Sequence, residues 1–334
     1  IEGSRFHREE FFGPVLGVMH ARSLEHAIEL QNGVDYGLTA GLYTQNPHDL
    51  EHWLDEVEAG NLYVNRGITG AIVQRQPFGG WKRSSVGTGT KAGGPNYLVG
   101  LGSWRAVSGG APSSTLHLRG LDTRITSVIE ASQPSLEFAA FESLRRAALS
   151  DAVAWAREFG AVKDASGLGV ARNLFRYRPV PVAVRATAGT PLQDVLRIAL
   201  AGLRTLAPFT LSVADGLPPA VRRALAALDV PVYAEKDVEW GRRVRGPLDV
   251  SAALADEDQV PRVPRVRIVG PPEARAALAE VLAIAVDGDP DLAIYAGEVT
   301  TAGRIELLPF LHEQAISITA HRFGNPDDWS AAVI

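Results

Sequence analysis

Between residues 180 and 284 the chain alternates two apolar patterns, and that alternation constrains its fold more than any other feature. Short runs at 180–186, 210–214, 230–233 and 265–269, rich in Val, have strand length. Stretches at 191–206, 218–228 and 272–284 have helical length and spacing, and a further helix is expected at 136–159. Strands separated by crossover helices lie parallel, so this part of the chain is expected to form an open α/β sheet. The tail from 292 to 321 reads as strands and turns, with Ile316-Ser317-Ile318-Thr319-Ala320 alternating apolar and polar residues.

Composition narrows the class. With 334 residues, 46% of them hydrophobic and 21% charged, the chain can bury a sizeable core, and disorder is excluded as its main state. At roughly 100–200 residues per domain, two domains are expected. A net charge of −5 offers no basic field for nucleic acid or an anionic membrane. No apolar run approaches the roughly 18 residues of a transmembrane helix. Cysteine is absent, which excludes disulfides, thiolate metal sites and a thiol nucleophile within this chain. The opening Ile1-Glu2-Gly3-Ser4-Arg5 is neither a signal peptide nor a Met start, so a fragment is expected.

Residues 1–105 have a different texture, rich in glycine and aromatic residues. Phe12-Gly13-Pro14-Val15-Leu16-Gly17-Val18-Met19 reads as a turn feeding a short buried strand. Ser23 is a good N-cap for a helix at 24–31 that Gly33 stops, and Asn46-Pro47 opens a second helix through Val57. Strands are expected at 38–44 and 62–65, and 66–95 reads as one long functional or interfacial loop. Residues 106–115 have linker composition and separate this domain from a second at 116–334.

Several short patterns carry possible chemistry. Gly87-Thr88-Gly89-Thr90-Lys91-Ala92 matches a dinucleotide phosphate turn, but Gly93-Gly94-Pro95 follow it and block the helix it should open. A flexible glycine loop is the better reading. His48 and His52 fall in an H-x-x-E-H pattern on one helix face, yet no third ligand is evident and a solvated face is favoured over a zinc site. His312 and His321 read as structural or interfacial. In Glu9-Glu10-Phe11-Phe12-Gly13-Pro14-Val15, a carboxylate fixed before a rigid turn can accept hydrogen bonds from ribose hydroxyls; a plain surface turn is equally compatible. Glycines in Arg66-Gly67-Ile68-Thr69-Gly70-Ala71 and Pro77-Phe78-Gly79-Gly80-Trp81-Lys82 free backbone N–H groups that can bind a carboxylate, and Phe78 can wall an apolar slot. A glycine-rich surface loop is the alternative.

Four collinear stretches, 9–15, Tyr36-Gly37-Leu38-Thr39-Ala40-Gly41-Leu42, Gly60-Asn61-Leu62-Tyr63-Val64-Asn65 and 77–82, resemble the C-terminal portion of the aldehyde dehydrogenase catalytic domain. Residues 65–78, followed by Lys91-Ala92-Gly93-Gly94-Pro95-Asn96-Tyr97-Leu98, look like the 1-pyrroline-5-carboxylate dehydrogenase branch, and most like the long bifunctional proline-utilization flavoenzymes. The resemblance implies NAD-dependent oxidation of L-glutamate γ-semialdehyde to L-glutamate in proline catabolism. It implies that Glu10 binds the nicotinamide-side ribose and Phe12 meets the nicotinamide end. It makes Gly70 and Ala71 an anchor for the substrate's α-carboxylate and packs Phe78 on its aliphatic chain. It places the nucleophilic Cys, the general-base Glu and the cofactor domain upstream, so no catalytic residue is expected in this chain and the chain alone is expected to be inactive. FAD is implied only if a proline dehydrogenase domain lies upstream. Cytoplasmic location, homo-oligomerisation at full length and contact with upstream domains of the same polypeptide are further implications.

The resemblance continues past the linker. Arg172-Asn173-Leu174-Phe175-Arg176-Tyr177-Arg178-Pro179 and the tail from Leu307 to Gly324 look like the C-terminal extension of the long enzymes. The expected fold class is therefore α/β, a partial aldehyde dehydrogenase catalytic domain followed by a degenerate Rossmann-like domain acting as lid and interface. In that second domain Arg185 stands where the family has a ribose-binding Lys, and residues 268–273 lack a glycine-rich phosphate turn, so it is expected not to bind NAD. A non-catalytic scaffold or regulatory remnant of the same family is the alternative function.

Overall fold

The computed structural model describes residues 2–106, 120–245, 264–286, 289 and 291–334. Apart from Ala106, the expected linker at 106–115 lies outside the described residues. The chain divides into two compact units that do not follow one cut in the sequence. The first gathers Ile1–Gly100, Val162–Tyr177 and His312–Ile334; the second gathers Leu101–Ala161 and Arg178–Leu311.

The first unit begins with α1 (Arg5–Arg8), α2 (Leu24–Asn32) and α3 (Pro47–Glu56). The Ser23 hydroxyl accepts from the His26 N–H at 3.2 Å, and Asn46 caps α3 by accepting from the His48 N–H at 3.1 Å. Leu50, Trp53 and Leu54, spaced for one helix face, carry α3 into the core. The strands are β1 (Tyr36–Gly37), β2 (Thr39–Leu42), β3 (Asn61–Val64), β4 (Trp81–Lys82), β5 (Lys163–Asp164) and β6 (Ala171–Pro179), with β12 (Leu311–Thr319) near the end of the chain. They form a sheet in the order β2-β3-β12-β6-β5, while β1 pairs antiparallel with β4. A small hairpin of β13 (His321–Arg322) and β14 (Asn325–Pro326) follows. Strand β12 runs parallel to β3, Ala315 opposite Asn61 and Ile318 opposite Val64. Ile28, Leu50, Trp53, Leu62, Leu174 and Ile316 close the core on one side of this sheet.

Two expectations change here. Residues 12–19 form no strand; Leu16 is 86% exposed, because no neighbouring strand offers this segment a ladder. The stretch 66–95 is not one unstructured loop: it contains β4 and antiparallel bridges joining Ile72 to Gln76 and Phe78 to Ala92.

The second unit has the strands β7 (Val182–Ala186), β8 (Phe209–Val213), β9 (Val232–Ala234), β10 (Arg265–Val269) and β11 (Ala293–Tyr295), all parallel, in the order β11-β10-β7-β8-β9. The order reverses between β7 and β10, the switch point of a doubly wound sheet. Helices α4 (Thr123–Ser132), α5 (Phe138–Ala154), α6 (Leu192–Thr205), α7 (Pro219–Ala226), α8 (Asp237–Arg245), α9 (Pro272–Ala285) and α10 (Gly303–Glu306) complete it. Helix α5 ends five residues short of the expected 159, continuing as a π-helical turn over Trp155–Phe159. Helix α6 is buried almost all round and carries Arg197, whose guanidinium meets Asp151 of α5 in two bonds of 2.8 Å. Burial pushes the Asp151 carboxyl up to about 6, against the pull of Arg197.

Candidate functional site

The short helix α1 leads into the turn that carries the two adjacent carboxylates, and the structure gives them different fates. Glu9 is held by the Arg5 guanidinium at 2.7 and 3.0 Å, which keeps its carboxyl below the usual range. Glu10 has no partner among the described residues and is exposed. Phe11 stacks on Phe6 with ring centroids 4.6 Å apart, whereas Phe12 is 98% exposed. These residues line an open cleft of about 510 Å³ together with Gly13, Val15 and Gly17. A free carboxylate beside an exposed aromatic ring fits a sugar hydroxyl and a planar heterocycle.

The second stretch is built on β3. Gly70 adopts φ +125°, a region that favours glycine, and it and Ala71 are both exposed. Among the described residues their N–H groups have no protein partner. From below, the buried Tyr63 hydroxyl donates to the Gly70 carbonyl at 2.6 Å. A polar floor lies beneath: Gln76 Nε2 donates to Ser317 Oγ at 3.0 Å and to Asn173 Oδ1 at 3.3 Å, and Arg66 donates to Ser317 Oγ at 2.6 Å. Two exposed, unpaired amides over a rigid floor are what a carboxylate needs.

Phe78 is fixed through its neighbours. Its N–H and carbonyl exchange bonds with Ala92 at 3.0 and 2.9 Å. Asn61 donates to the Pro77 carbonyl at 2.9 Å and accepts from the Gly79 N–H at 3.1 Å. Lys91, fully buried, donates through Nζ to Asn61 Oδ1 at 3.0 Å and to the Gly79 carbonyl. Burial pushes the Lys91 ammonium down to about 7, while the Glu313 charge acts in the opposite direction. Glu313 of β12 accepts from the Lys91 N–H and from Asn96 Nδ2, which also donates to the Tyr177 hydroxyl at 2.8 Å.

The structure thus brings Gly70, Ala71 and Phe78 onto one polar frame. No hydrogen bond or ring contact joins Glu10 or Phe12 to that stretch among the described residues. Tyr63, Asn61, Lys91, Glu313 and Ser317 were not singled out by sequence reasoning. Two signals were available: a lysine inside a glycine-rich run and polar residues inside an apolar strand. Elsewhere, His48 and His52 sit on exposed turns of α3, and His52 Nε2 lies 3.9 Å from Glu25. Among the described residues no group of three His, Asp or Glu could hold a metal ion. No described helix is long and apolar enough to cross a membrane.

In the second unit Arg185 is fully buried and turned inward, with Nε and Nη2 on Asp237 at 2.8 and 2.7 Å and Nη1 on Ser212 Oγ at 2.7 Å. Helix α9 opens on Pro271-Pro272, which removes N–H donors from the turn that would face a phosphate. These residues do not fit a dinucleotide.

The segment of the chain at residues 2–102 matches the Aldehyde dehydrogenase family. Within it, 98 residues are 49% identical to 1-pyrroline-5-carboxylate dehydrogenase of Bacillus subtilis (strain 168), covering 29% of this chain and 19% of that protein. Another 1-pyrroline-5-carboxylate dehydrogenase, from Geobacillus kaustophilus (strain HTA426), is 50% identical over 96 residues, 29% of this chain and 18% of the relative. Among solved structures, proline utilization A from Corynebacterium freiburgense is 37% identical with a TM-score of 0.68. That match covers 97% of this chain and 27% of the other, so it extends through the second unit. The chain spans about a fifth of the curated relatives it matches.

Proposed function

We propose that this chain supplies the cofactor-ribose contact and the substrate anchor of an NAD-dependent dehydrogenase that oxidises L-glutamate γ-semialdehyde, the open form of 1-pyrroline-5-carboxylate, to L-glutamate in proline catabolism. The observation that carries this reading is the pair of exposed, unpartnered N–H groups at Gly70 and Ala71. Those amides bind the α-carboxylate, and Phe78 packs on the aliphatic chain between carboxylate and aldehyde. Glu10 accepts hydrogen bonds from the nicotinamide ribose, and Phe12 lies against the nicotinamide. The bound nicotinamide supplies the hydride acceptor.

The thiol that attacks the aldehyde is not among these 334 residues. It belongs to upstream domains of the same polypeptide in this reading, with FAD present only where those include a proline dehydrogenase domain. The second domain serves as lid and interface, and the whole enzyme is a cytoplasmic homo-oligomer.

The test is an assay of the complete gene product with the semialdehyde and NAD, followed at 340 nm. Turnover by the complete product, with none by the 334-residue chain, is expected. A complete product that forms no NADH above the blank would overturn the reading.

A further inference from the structure

We propose that Tyr63 is a positioning residue for carboxylate recognition: its hydroxyl fixes the Gly70–Ala71 peptide so that the Ala71 N–H faces the substrate. The inference rests on the anchor reading above and assigns the part of the fold that orients it.

Tyr63 lies on β3 with 1% of its surface exposed, so its hydroxyl needs a partner within the protein. The partner is the Gly70 carbonyl at 2.6 Å, a short bond. In a planar trans peptide the carbonyl and the following N–H point in opposite directions. A hydroxyl holding the Gly70 oxygen from the buried side therefore turns the Ala71 N–H outward.

Little else holds this peptide. Gly70 is at φ +125°, and a glycine there turns over readily because no Cβ opposes the rotation. Its carbonyl accepts no other bond among the described residues. The floor resists collapse: a Cβ on Gly70 would sit 2.9 Å from Gln76 Oε1. That oxygen is itself buried and without a partner, while Nε2 of the same amide is tied to Ser317 and Asn173. Burial also pushes the Tyr63 hydroxyl above its ordinary range, so it remains a donor at any working pH. Without this hydroxyl the peptide samples both orientations, and a carboxylate loses a pre-aligned donor.

The experiment compares wild type and Tyr63→Phe in the complete dehydrogenase, with L-glutamate γ-semialdehyde and with propanal, an aldehyde that has no carboxylate. KM for the semialdehyde should rise about tenfold, the equivalent of about 1.4 kcal/mol. Its kcat and the kcat/KM for propanal should stay within about twofold of wild type. An unchanged semialdehyde KM overturns the proposal, and so does an equal loss with both aldehydes, which marks a merely structural role. A wild type that does not oxidise the semialdehyde at all would instead overturn the functional reading. Should Tyr63→Phe fail to fold, 3-fluorotyrosine at position 63 keeps the ring and the hydroxyl and makes the donor more acidic. It should shift the semialdehyde KM and leave propanal kinetics alone; no shift overturns the proposal.

Discussion

Glu313 accepts a hydrogen bond from the backbone N–H of Lys91 at 2.6 Å, across 222 residues of chain. Its other oxygen accepts from Asn96 at 2.7 Å, so both oxygens of one buried carboxylate are committed to donors beside the anchor. Glu313→Gln replaces one acceptor with a donor and leaves a buried N–H facing an NH2. A loss of about 2–3 kcal/mol in urea unfolding is expected. A variant as stable as wild type would show that this carboxylate is not needed to join the two segments.

Lys91 makes stability depend on alkaline pH. Folding lowers its ammonium from 10.5 to about 7, so between these values the unfolded chain binds the extra proton. Stability then rises with pH across that window, by up to about 1.4 kcal/mol per unit, and the burial penalty is present in full below it. The difference between wild type and Lys91→Met, measured by unfolding from pH 7 to 9.5, should have this positive slope. Parallel curves would place the lysine's titration elsewhere.

In the second unit, Arg197→Met leaves Asp151 buried without its partner. A loss of about 3–5 kcal/mol is expected, and the double variant Asp151→Leu with Arg197→Met should recover most of it. A double-mutant cycle with no coupling would contradict the bidentate pair.

The adjacent carboxylates should separate functionally. In the complete enzyme Glu10→Gln should weaken NAD binding about tenfold by titration calorimetry, because its free oxygens are the ones open to a ribose. Glu9→Gln should leave the affinity within about twofold, since that carboxylate already serves Arg5. Equal effects would remove Glu10 from the cofactor contact.

Gly70→Val places a branched side chain at φ +125° with its Cβ 2.9 Å from Gln76 Oε1. The KM for the semialdehyde should rise at least about tenfold as the peptide moves. A normal KM would show that the anchor lies elsewhere.

Much of the second unit was legible because periodicity is local information: the strands at 182–186, 209–213 and 265–269 fall within three residues of where the apolar runs put them. Helices α4 and α8 and the short α10 were missed. The pairing of β12 with β3 was not legible, because no local pattern names a partner some 250 residues away. At the site, Gly70 and Phe78 could be found because glycine and aromatic residues signal special backbone and packing. Tyr63 could not, since within the apolar run of β3 it reads as core, and its function lies in one hydroxyl that only the folded loop engages. The strand expected at 12–19 failed for a related reason: apolar residues indicate a need for burial without supplying the surface that meets it.

The dependence of the anchor frame on β12 sets an order of events during protein synthesis. A ribosome adding ~5–20 residues per second needs roughly 10–45 s to travel from Lys91 to Glu313. Through that interval the nascent loop carries a lysine with no counter-carboxylate, and Asn96 lacks both partners until Tyr177 is made and one of them until Glu313 follows. The unpaired flank of β3 meanwhile remains open to other chains. Translation that stops after Asn96 but before residue 311 therefore releases a polypeptide that contains every anchor residue yet cannot finish the anchor, and such products are natural clients for chaperones and proteases.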